Sequence, residues 1–326
     1  MGSGKLIGTR WKNKWGRVAV KYVVIAMGVI CFPWIVTLIF TGEYNGKVYG
    51  TSSGSYFVVV DKGKVDLEDF VAYALVKQMD IDEDEEALKA QSVIVRTYIY
   101  EKMCENKVKK INVDKLDLPY ISYKEMENIW DEDFTKNHSK LMKVVEGTEG
   151  KVLMYEGEPI KPFFHNLSCG YTRDGVTNLG EGFNYLVSVQ SVGDVNSENY
   201  QNSVSYSKEE FVKILRKEKE DIALSSDNPL ETMQIVKRDK GGYIEELQIG
   251  NVTMTGDEFT KIFQLKSPNF QVEEADGEII IVTKGIGHGM GLSIYGAKLL
   301  AKNGKGYTEI LQHYYSEVYL ESLWEE

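Results

Sequence analysis

Residues 65–104 decide the fold and read VDLEDFVAYALVKQMDIDEDEEALKAQSVIVRTYIYEKMC. Apolar side chains recur at spacings of three and four on both sides of an acidic segment, so we predict two helices joined by a turn. Gln78 continues the apolar stripe of the first helix at its last turn, and Gln91 lies within the stripe of the second. Lys89 and Arg96 share another side of the second helix. On periodicity alone, the pattern is typical of an amphipathic pair with solvated charges.

The amino-terminal residues predict a membrane anchor. Residues 1–21 carry lysine and arginine but no acidic residue, and residues 22–41 carry no charge. About 20 apolar residues span the hydrocarbon core of a bilayer, and the basic flank places the amino terminus in the cytoplasm. The apolar run is long and no small-residue cleavage motif follows it, which favours an uncleaved anchor over a signal peptide. We therefore predict a single-pass protein of the cell membrane whose remaining residues lie outside the cytoplasm.

Beyond the anchor, we predict one α+β domain. Residues 42–55 are rich in glycine and serine and are typical of a tether. Residues 56–326 contain strand-like segments before and after the helical pair. Because 43% of the chain is hydrophobic, a sizeable core can form. The expected domain is a helical hairpin packed on strands.

Charge and cysteine content limit the partners. The chain has 49 acidic and 38 basic residues, a net charge of -11, and the basic tail makes the remainder more acidic still. Such a surface argues against nucleic acid and anionic membrane as partners and favours an uncharged or locally charge-matched substrate. His165 and Cys169 alone are too few ligands for a zinc site. We therefore predict no metal and no cofactor.

A second segment carries polar groups suited to a ligand. Residues 163–175 read FFHNLSCGYTRDG and form a loop at the end of a predicted strand. His165 can donate or accept a hydrogen bond, while Ser168 and Thr172 supply hydroxyl groups. Gly170 allows the backbone to approach a ligand closely.

A third segment, residues 284–315, reads KGIGHGMGLSIYGAKLLAKNGKGYTEILQHYY. Its glycines surround His288 and present the imidazole at a strand-to-helix junction. A helix is predicted from Ser293 to about residue 301, where an Asn-Gly pair stops it. Without a following lysine or a βαβ context, the glycine-rich loop is weak evidence for a nucleotide.

The three segments together resemble the SpoIID/LytB family of cell-wall proteins. Residues 86–97 match the family pattern Glu-Ala-Leu-Lys-Ala-Gln-x-x-x-x-Arg-Thr. Residues 165–172 are similar to its His-Ser-x-Ser-Gly-Gly-x-Thr, with Cys169 in place of a glycine. Residues 287–297 match its Gly-His-Gly-x-Gly-x-Ser-Gln-x-Gly-Ala, with Ile294 in place of the glutamine.

The resemblance implies a membrane-tethered protein that acts on peptidoglycan glycan strands during engulfment in endospore formation. SpoIID proteins look like lytic transglycosylases for glycan whose stem peptides an amidase has removed, and their LytB relatives look like enhancers of a wall amidase. In the cleaving mechanism, one carboxylic acid protonates the glycosidic oxygen. As a carboxylate it then takes the proton of the sugar's C6 hydroxyl, which leaves a 1,6-anhydro end. The implied partners are glycan, an amidase and other membrane proteins of the engulfment machinery.

Gln78 occupies the position of that acid, because the family's Glu-Met-Pro is replaced by Gln-Met-Asp. An amide has nearly the shape of a carboxyl group but no acidic proton. Two functions therefore remain open. In the first, the domain binds glycan or assists an amidase without cleaving. In the second, it cleaves with Asp80, Asp82 or another carboxylate in the place of the acid.

The resemblance also implies a set of substrate-binding side chains. These are Lys89, Gln91, Arg96, His165, Ser168, Thr172, His288 and Ser293. Because contacts with one pair of sugars require groups close to a shared substrate, we expect one groove to be lined by Gln78, Lys89, Arg96, His165, Ser168 and His288.

Overall fold

The computed structural model describes residues 55–61 and 63–324, all within the compact unit Gly50–Glu326. The predicted cytoplasmic tail, the anchor and nearly all of the tether lie outside the described residues, so these remain predictions. Within the part of the chain that the structure describes, no helix is long and apolar enough to cross a membrane. The expected mixture of helices and strands is confirmed.

The helical hairpin forms as predicted. Helix α1 spans Leu67–Gln78 and helix α2 spans Glu85–Glu105. The carboxylates of Asp66 and Asp84 each accept a hydrogen bond from the backbone N–H two residues later and so cap the two helices. Helix α1 ends because Met79 adopts an extended conformation.

Helix α2 is the central element of the domain, and it is not a surface helix with one apolar stripe. It contacts α1 as well as later helices and a strand on other sides. Its buried residues therefore include the polar side chains of Gln91, Ser92, Arg96 and Thr97. The interpretation of an amphipathic helix with solvated charges is wrong for Arg96, which is fully buried, whereas Lys89 of the same helix stays partly exposed.

The remaining helices are shorter than α2, and several of them begin at a side-chain cap. Serine or threonine begins three of them in a capping box with a glutamate three residues later. The predicted helix after Ser293 is confirmed. These helices are α3 (Tyr123–Trp130), α4 (Phe134–Glu146), α5 (Gly175–Leu179), α6 (Lys208–Glu218), α7 (Gly256–Ile262), α8 (Ile294–Lys302) and α9 (Tyr307–Tyr314).

The described strands form several small sheets rather than one large one. In sheet order they are β2-β1-β3, β14-β4-β5, β13-β6, β11-β12-β7 and β10-β9-β8. Their bounds are β1 (Phe57–Val60), β2 (Gly63–Asp66), β3 (Lys110–Asn112), β4 (Lys151–Tyr155), β5 (Glu158–Pro159), β6 (Phe164–His165), β7 (Gln201–Ser207), β8 (Met233–Arg238), β9 (Ile244–Ile249), β10 (Val252–Met254), β11 (Phe270–Ala275), β12 (Glu278–Lys284), β13 (Leu292–Ser293) and β14 (Tyr319–Ser322). Strands β7 to β12, with α6 and α7, enclose a core of their own built around Phe211, Phe259, Phe263 and Phe270.

A fully buried ion pair joins the hairpin to strand β4. Arg96 Nε donates to Glu68 Oε1 at 2.8 Å and Arg96 Nη2 donates to Glu68 Oε2 at 2.5 Å, and neither side chain is exposed. Arg96 Nη1 also reaches the backbone oxygen of Lys151 at 3.2 Å, and Gly150 N–H donates to Glu68 at 3.2 Å. Arg96 therefore connects α1, α2 and the start of β4 inside the protein, which is a different position from the groove-lining one that we expected.

Removing one partner of this pair should strongly destabilise the domain. Glu68→Ala leaves a buried guanidinium without its counter-charge, which typically costs about 3–5 kcal/mol. The matched control is Lys143→Ala, because Lys143 forms an exposed pair with Glu85 at 2.9 Å. An exposed pair contributes about 0–1 kcal/mol. Thermal unfolding followed by circular dichroism should show a large drop in midpoint for Glu68→Ala alone, and equal shifts in the two variants would contradict this account.

Candidate functional site

At the position of the expected acid, the side-chain amide of Gln78 is hydrogen-bonded to a second amide, that of Gln91. Gln78 is the last residue of α1 and is half-buried, while Gln91 on α2 is fully buried. Gln91 Nε2 donates to Gln78 Oε1 at 2.5 Å. The opposite amide atoms, Gln78 Nε2 and Gln91 Oε1, are buried without a partner in the described structure. This pair supplies an amide donor and an amide acceptor but holds no acidic proton.

The acidic turn after Gln78 offers no desolvated carboxylate in its place. Asp80 and Asp82 are exposed, and Asp80 Oδ1 accepts a hydrogen bond from the backbone N–H of Asp82 at 3.0 Å. A general acid that works near neutral pH needs a partly desolvated setting, which an exposed turn does not provide.

The glutamates that follow the turn are paired with lysines. Glu86 bonds Lys89 at 2.6 Å, and Glu83 bonds Lys298 of α8 at 2.7 Å. Lys89 keeps 20% of its side chain exposed and remains at the surface. The Lys298 pair is the more informative of the two, because it ties α8 to the turn that follows Gln78.

The two predicted histidines lie together. Strands β6 and β13 are parallel, with His165 opposite Ser293. His165 Nδ1 lies 3.0 Å from the backbone oxygen of Met290, and the backbone N–H of Met290 donates to His288 Nδ1 at 3.1 Å. The ring centroids of the histidines are 5.8 Å apart. One residue, Met290, thus orients both imidazoles.

Burial makes both imidazoles neutral at pH 7. Desolvation and the neighbouring His288 lower the pKa of His165 to about 3. Desolvation and the charge of Arg173 lower the pKa of His288 to about 4. Because a carbonyl oxygen only accepts, His165 carries its proton on Nδ1, and its Nε2 is left as a buried acceptor that has no partner among the described residues. Neither ring is a proton donor of the kind that a glycosidic oxygen requires.

A buried carboxylate holds the two histidine segments in place. Asp194 is fully buried and accepts from the backbone N–H of Ser168 at 2.7 Å, from Ser293 Oγ at 2.6 Å and from Ser191 Oγ at 3.0 Å. Both Ser168 and Ser293 were expected to contact substrate. The structure instead buries them completely, because their polar atoms complete this network.

The hydroxyls of these two serines have further backbone partners. Ser168 Oγ accepts from the backbone N–H of Gly170 at 3.1 Å. Ser293 Oγ accepts from the backbone N–H of Gly296 at 3.2 Å and so caps α8. Each serine therefore shapes the loop or helix that follows it.

Thr172 also has a structural role in the loops around the histidines. It is buried, its Oγ1 accepts from the backbone N–H of Val189 at 2.9 Å, and it donates to the backbone oxygen of Val187 at 3.3 Å. The side chain thus ties two loop segments together, where a sugar contact was expected.

Arg173 is a site residue that the sequence interpretation missed. Its side chain is 2% exposed, and Nη1 donates to Asp257 at 2.9 and 3.0 Å and to the backbone oxygen of His288 at 3.3 Å. Its backbone N–H donates to Gly289 at 2.8 Å. Arg173 therefore holds the glycine-rich loop to α7. The only sequence signal was its position next to Thr172 in the matched motif.

The structure thus brings together Gln78 with Gln91, and His165 with His288. Helix α8 is the connection between these two pairs, because its Ser293 cap lies beside His165 and its Lys298 bonds Glu83. Arg96 and Ser168 are fully buried, and a shared groove of Gln78, Lys89 and the two histidines remains a prediction.

Comparison with known proteins places the chain in a family. The family model described as SpoIID, stage II sporulation protein, matches residues 59–155, which contain the helical hairpin. The chain is 31% identical over 277 residues to the stage II sporulation protein D of Bacillus amyloliquefaciens, which covers 83% of this chain and 77% of that protein. It is 28% identical over 257 residues to the stage II sporulation protein D of Bacillus subtilis (strain 168), covering 77% and 73%. An uncharacterised protein of Brachyspira hyodysenteriae is 28% identical over 285 residues, covering 85% and 72%.

The chain therefore belongs to the SpoIID family, as its three motifs indicate.

Acid should weaken the fold through the histidine pair. An unfolded histidine takes up a proton near its ordinary pKa of about 6.5. Folded His165 resists protonation until about pH 3 and folded His288 until about pH 4. In that window the unfolded chain binds more protons, so stability falls as the pH is lowered from 6.5. Asp69 acts in the opposite direction, because burial raises its pKa to about 7.

The contribution of one histidine is measured by comparison with a variant. His165→Asn removes the imidazole, while its amide nitrogen can replace Nδ1. The unaltered protein should unfold at a higher temperature than His165→Asn at pH 7, and this difference in unfolding midpoint should shrink as the pH falls to 4. The reason is that both proteins keep His288, but only the unaltered protein also has to keep His165 neutral. His313→Asn, outside the pair, controls for the loss of an imidazole. A midpoint difference that does not change with pH would show that His165 is not held neutral.

Proposed function

We propose that this protein is a membrane-anchored, extracytoplasmic member of its family that acts in sporulation by binding peptidoglycan glycan strands whose stem peptides have been removed. Cleavage of the strand is limited because Gln78 occupies the position of the general acid. The observation that carries the proposal is the amide pair of Gln78 and Gln91, which keeps the hydrogen-bonding shape of the expected site without its acidic proton.

The chemical consequence concerns the bridging oxygen of the glycan. Gln78 can donate a hydrogen bond to that oxygen through Nε2, which lacks a partner in the described structure. It cannot transfer a proton, and general acid catalysis typically contributes about 10²–10⁴-fold in rate. The protein then retains the substrate but loses most of the cleavage rate.

The alternative of an active transglycosylase with a relocated acid has less support. Asp80 and Asp82 are the nearest carboxylates in sequence, and both are exposed in the turn. The glutamates of the same region are engaged with lysines. A role as an amidase enhancer is compatible with glycan binding that does not lead to cleavage. We therefore include a partner amidase in the proposed function and do not treat amidase enhancement as a competing alternative.

Restoring the carboxylate should restore cleavage. In Gln78→Glu, the amide nitrogen of Gln91 still has an oxygen to donate to, so the local structure is retained. We expect the full-length variant to release anhydro-ended fragments from amidase-treated glycan faster than the unaltered protein by about 10²–10⁴-fold. Mass spectrometry of the released muropeptides gives the rate.

Asp80→Asn and Asp82→Asn are the matched controls, and neither should change the rate in the presence or absence of the restored carboxylate. Ready cleavage by the unaltered protein that is lost in Asp80→Asn or Asp82→Asn would favour a relocated acid. If the unaltered protein does not bind the stripped glycan in a co-sedimentation assay, the binding function itself is wrong.

A further inference from the structure

A row of aromatic rings starts at His288 and leads away from the histidine pair. The centroid of the Phe163 ring lies 5.7 Å from that of His288 and 6.0 Å from that of Phe183. Tyr185 follows at 6.1 Å from Phe183. Phe163 and Phe183 are half-buried, whereas Tyr185 is buried. Two partly exposed rings therefore adjoin the site that the family motifs identify.

The backbone beneath Phe163 is held firmly. Its carbonyl oxygen accepts from the backbone N–H of Leu292 at 3.1 Å and from the hydroxyl of Tyr315 at 2.6 Å. Gly291 passes so close to this carbonyl that any side chain there would collide with it. The Phe163 ring is thus presented from a fixed position.

The backbone beneath Phe183 is fixed by close packing against α5. A Cβ atom placed on Gly175 would lie 2.7 Å from the backbone oxygen of Phe183 and 2.9 Å from its Cβ. The backbone oxygen of Phe183 also accepts from the backbone N–H of Leu186 at 3.0 Å. A ring held on a rigid backbone loses little entropy when a ligand stacks on it.

Further apolar side chains of the same segment are exposed. Val176, Leu179 and Val187 are 39%, 37% and 43% exposed. Exposed apolar side chains close in sequence to Phe183 can add apolar area to a binding surface. The segment also carries Asp174 and Glu181, so an anionic membrane surface is a poor partner for it.

We propose that Phe163 and Phe183, whose rings meet edge to face, form an aromatic stacking platform for a sugar residue of the glycan strand beside His288. The proposal rests on the proposed function and names a subsite for it. A β-linked amino sugar has equatorial substituents, so each ring face presents C–H groups of slightly positive charge. Aromatic faces carry the complementary negative charge. The sugar hydroxyls remain at the ring edge, where they reach water.

The test measures binding of a defined sugar by variants that lose a ring but keep apolar volume. Full-length protein in a detergent without sugar headgroups is titrated calorimetrically with the β-1,4-linked hexamer of N-acetylglucosamine and with amidase-treated glycan. Phe163→Leu and Phe183→Leu should each weaken binding roughly two- to tenfold, as expected for one aromatic contact. Phe134→Leu is the matched control, because Phe134 is a half-buried ring in another cluster, stacked on His138.

Each outcome decides the proposal. If the unaltered protein binds glycan and both ring variants bind it as tightly as the unaltered protein does, the stacking platform is wrong. The proposed function then stands, and a protein ligand for the exposed apolar side chains is favoured. If the unaltered protein binds neither probe, both proposals are overturned. An equal loss in Phe134→Leu also overturns the platform, since the effect is then not local. Should Phe163→Leu fail to fold, Phe183→Leu and Gly175→Ala, which displaces the Phe183 ring, carry the same test.

Discussion

The candidate site depends on the hydrogen bonds that the buried carboxylate of Asp194 accepts. A buried charge is costly unless hydrogen bonds replace its water, and Asp194 accepts three such bonds from Ser168, Ser191 and Ser293. Two of these donors belong to the segments that carry His165 and His288. The carboxylate therefore fixes the relative position of two segments that are far apart in the chain. Gly296 leaves no space beside it, because a Cβ there would meet Tyr314, Ser191 and Asp194 itself.

The polar residues of the family motifs thus fall into two groups. Ser168, Thr172, Ser293 and Arg96 satisfy buried partners and shape the backbone. Gln78 and Lys89 keep part of their surface exposed, and His165 keeps a nitrogen that has no partner in the part of the chain that the structure describes. A motif match alone does not separate the groups, because both consist of the same residue types. What separates them is whether each donor and acceptor already has a partner inside the protein.

Local patterns in the sequence were sufficient for the helical hairpin and the helix after Ser293, whereas the proximity of the two histidine segments was expected only from the family resemblance. They could not give the burial of α2 on several sides, because this burial arises from contacts with later elements that range from α4 and β4 to α8 and α9. The partners Glu68, Asp194 and Arg173 were also missed. Their roles depend on contacts such as that between Asp194 and Ser293, 99 residues apart, and no local spacing marks such a contact. The amide at Gln78, by contrast, was visible directly because it departs from a known pattern.

The hydrogen-bond network around Asp194 is tested most directly by hydrogen–deuterium exchange of the Asp194→Asn variant. An asparagine keeps the size of the side chain but presents an N–H₂ group where one of the oxygens accepts, so the network loses at least one bond. The account predicts faster amide exchange in residues 166–172 and 285–296, with unchanged exchange in α1 and α2. Exchange in both loops equal to that of the unaltered protein would contradict it, and would show that the histidine segments are held without the buried carboxylate.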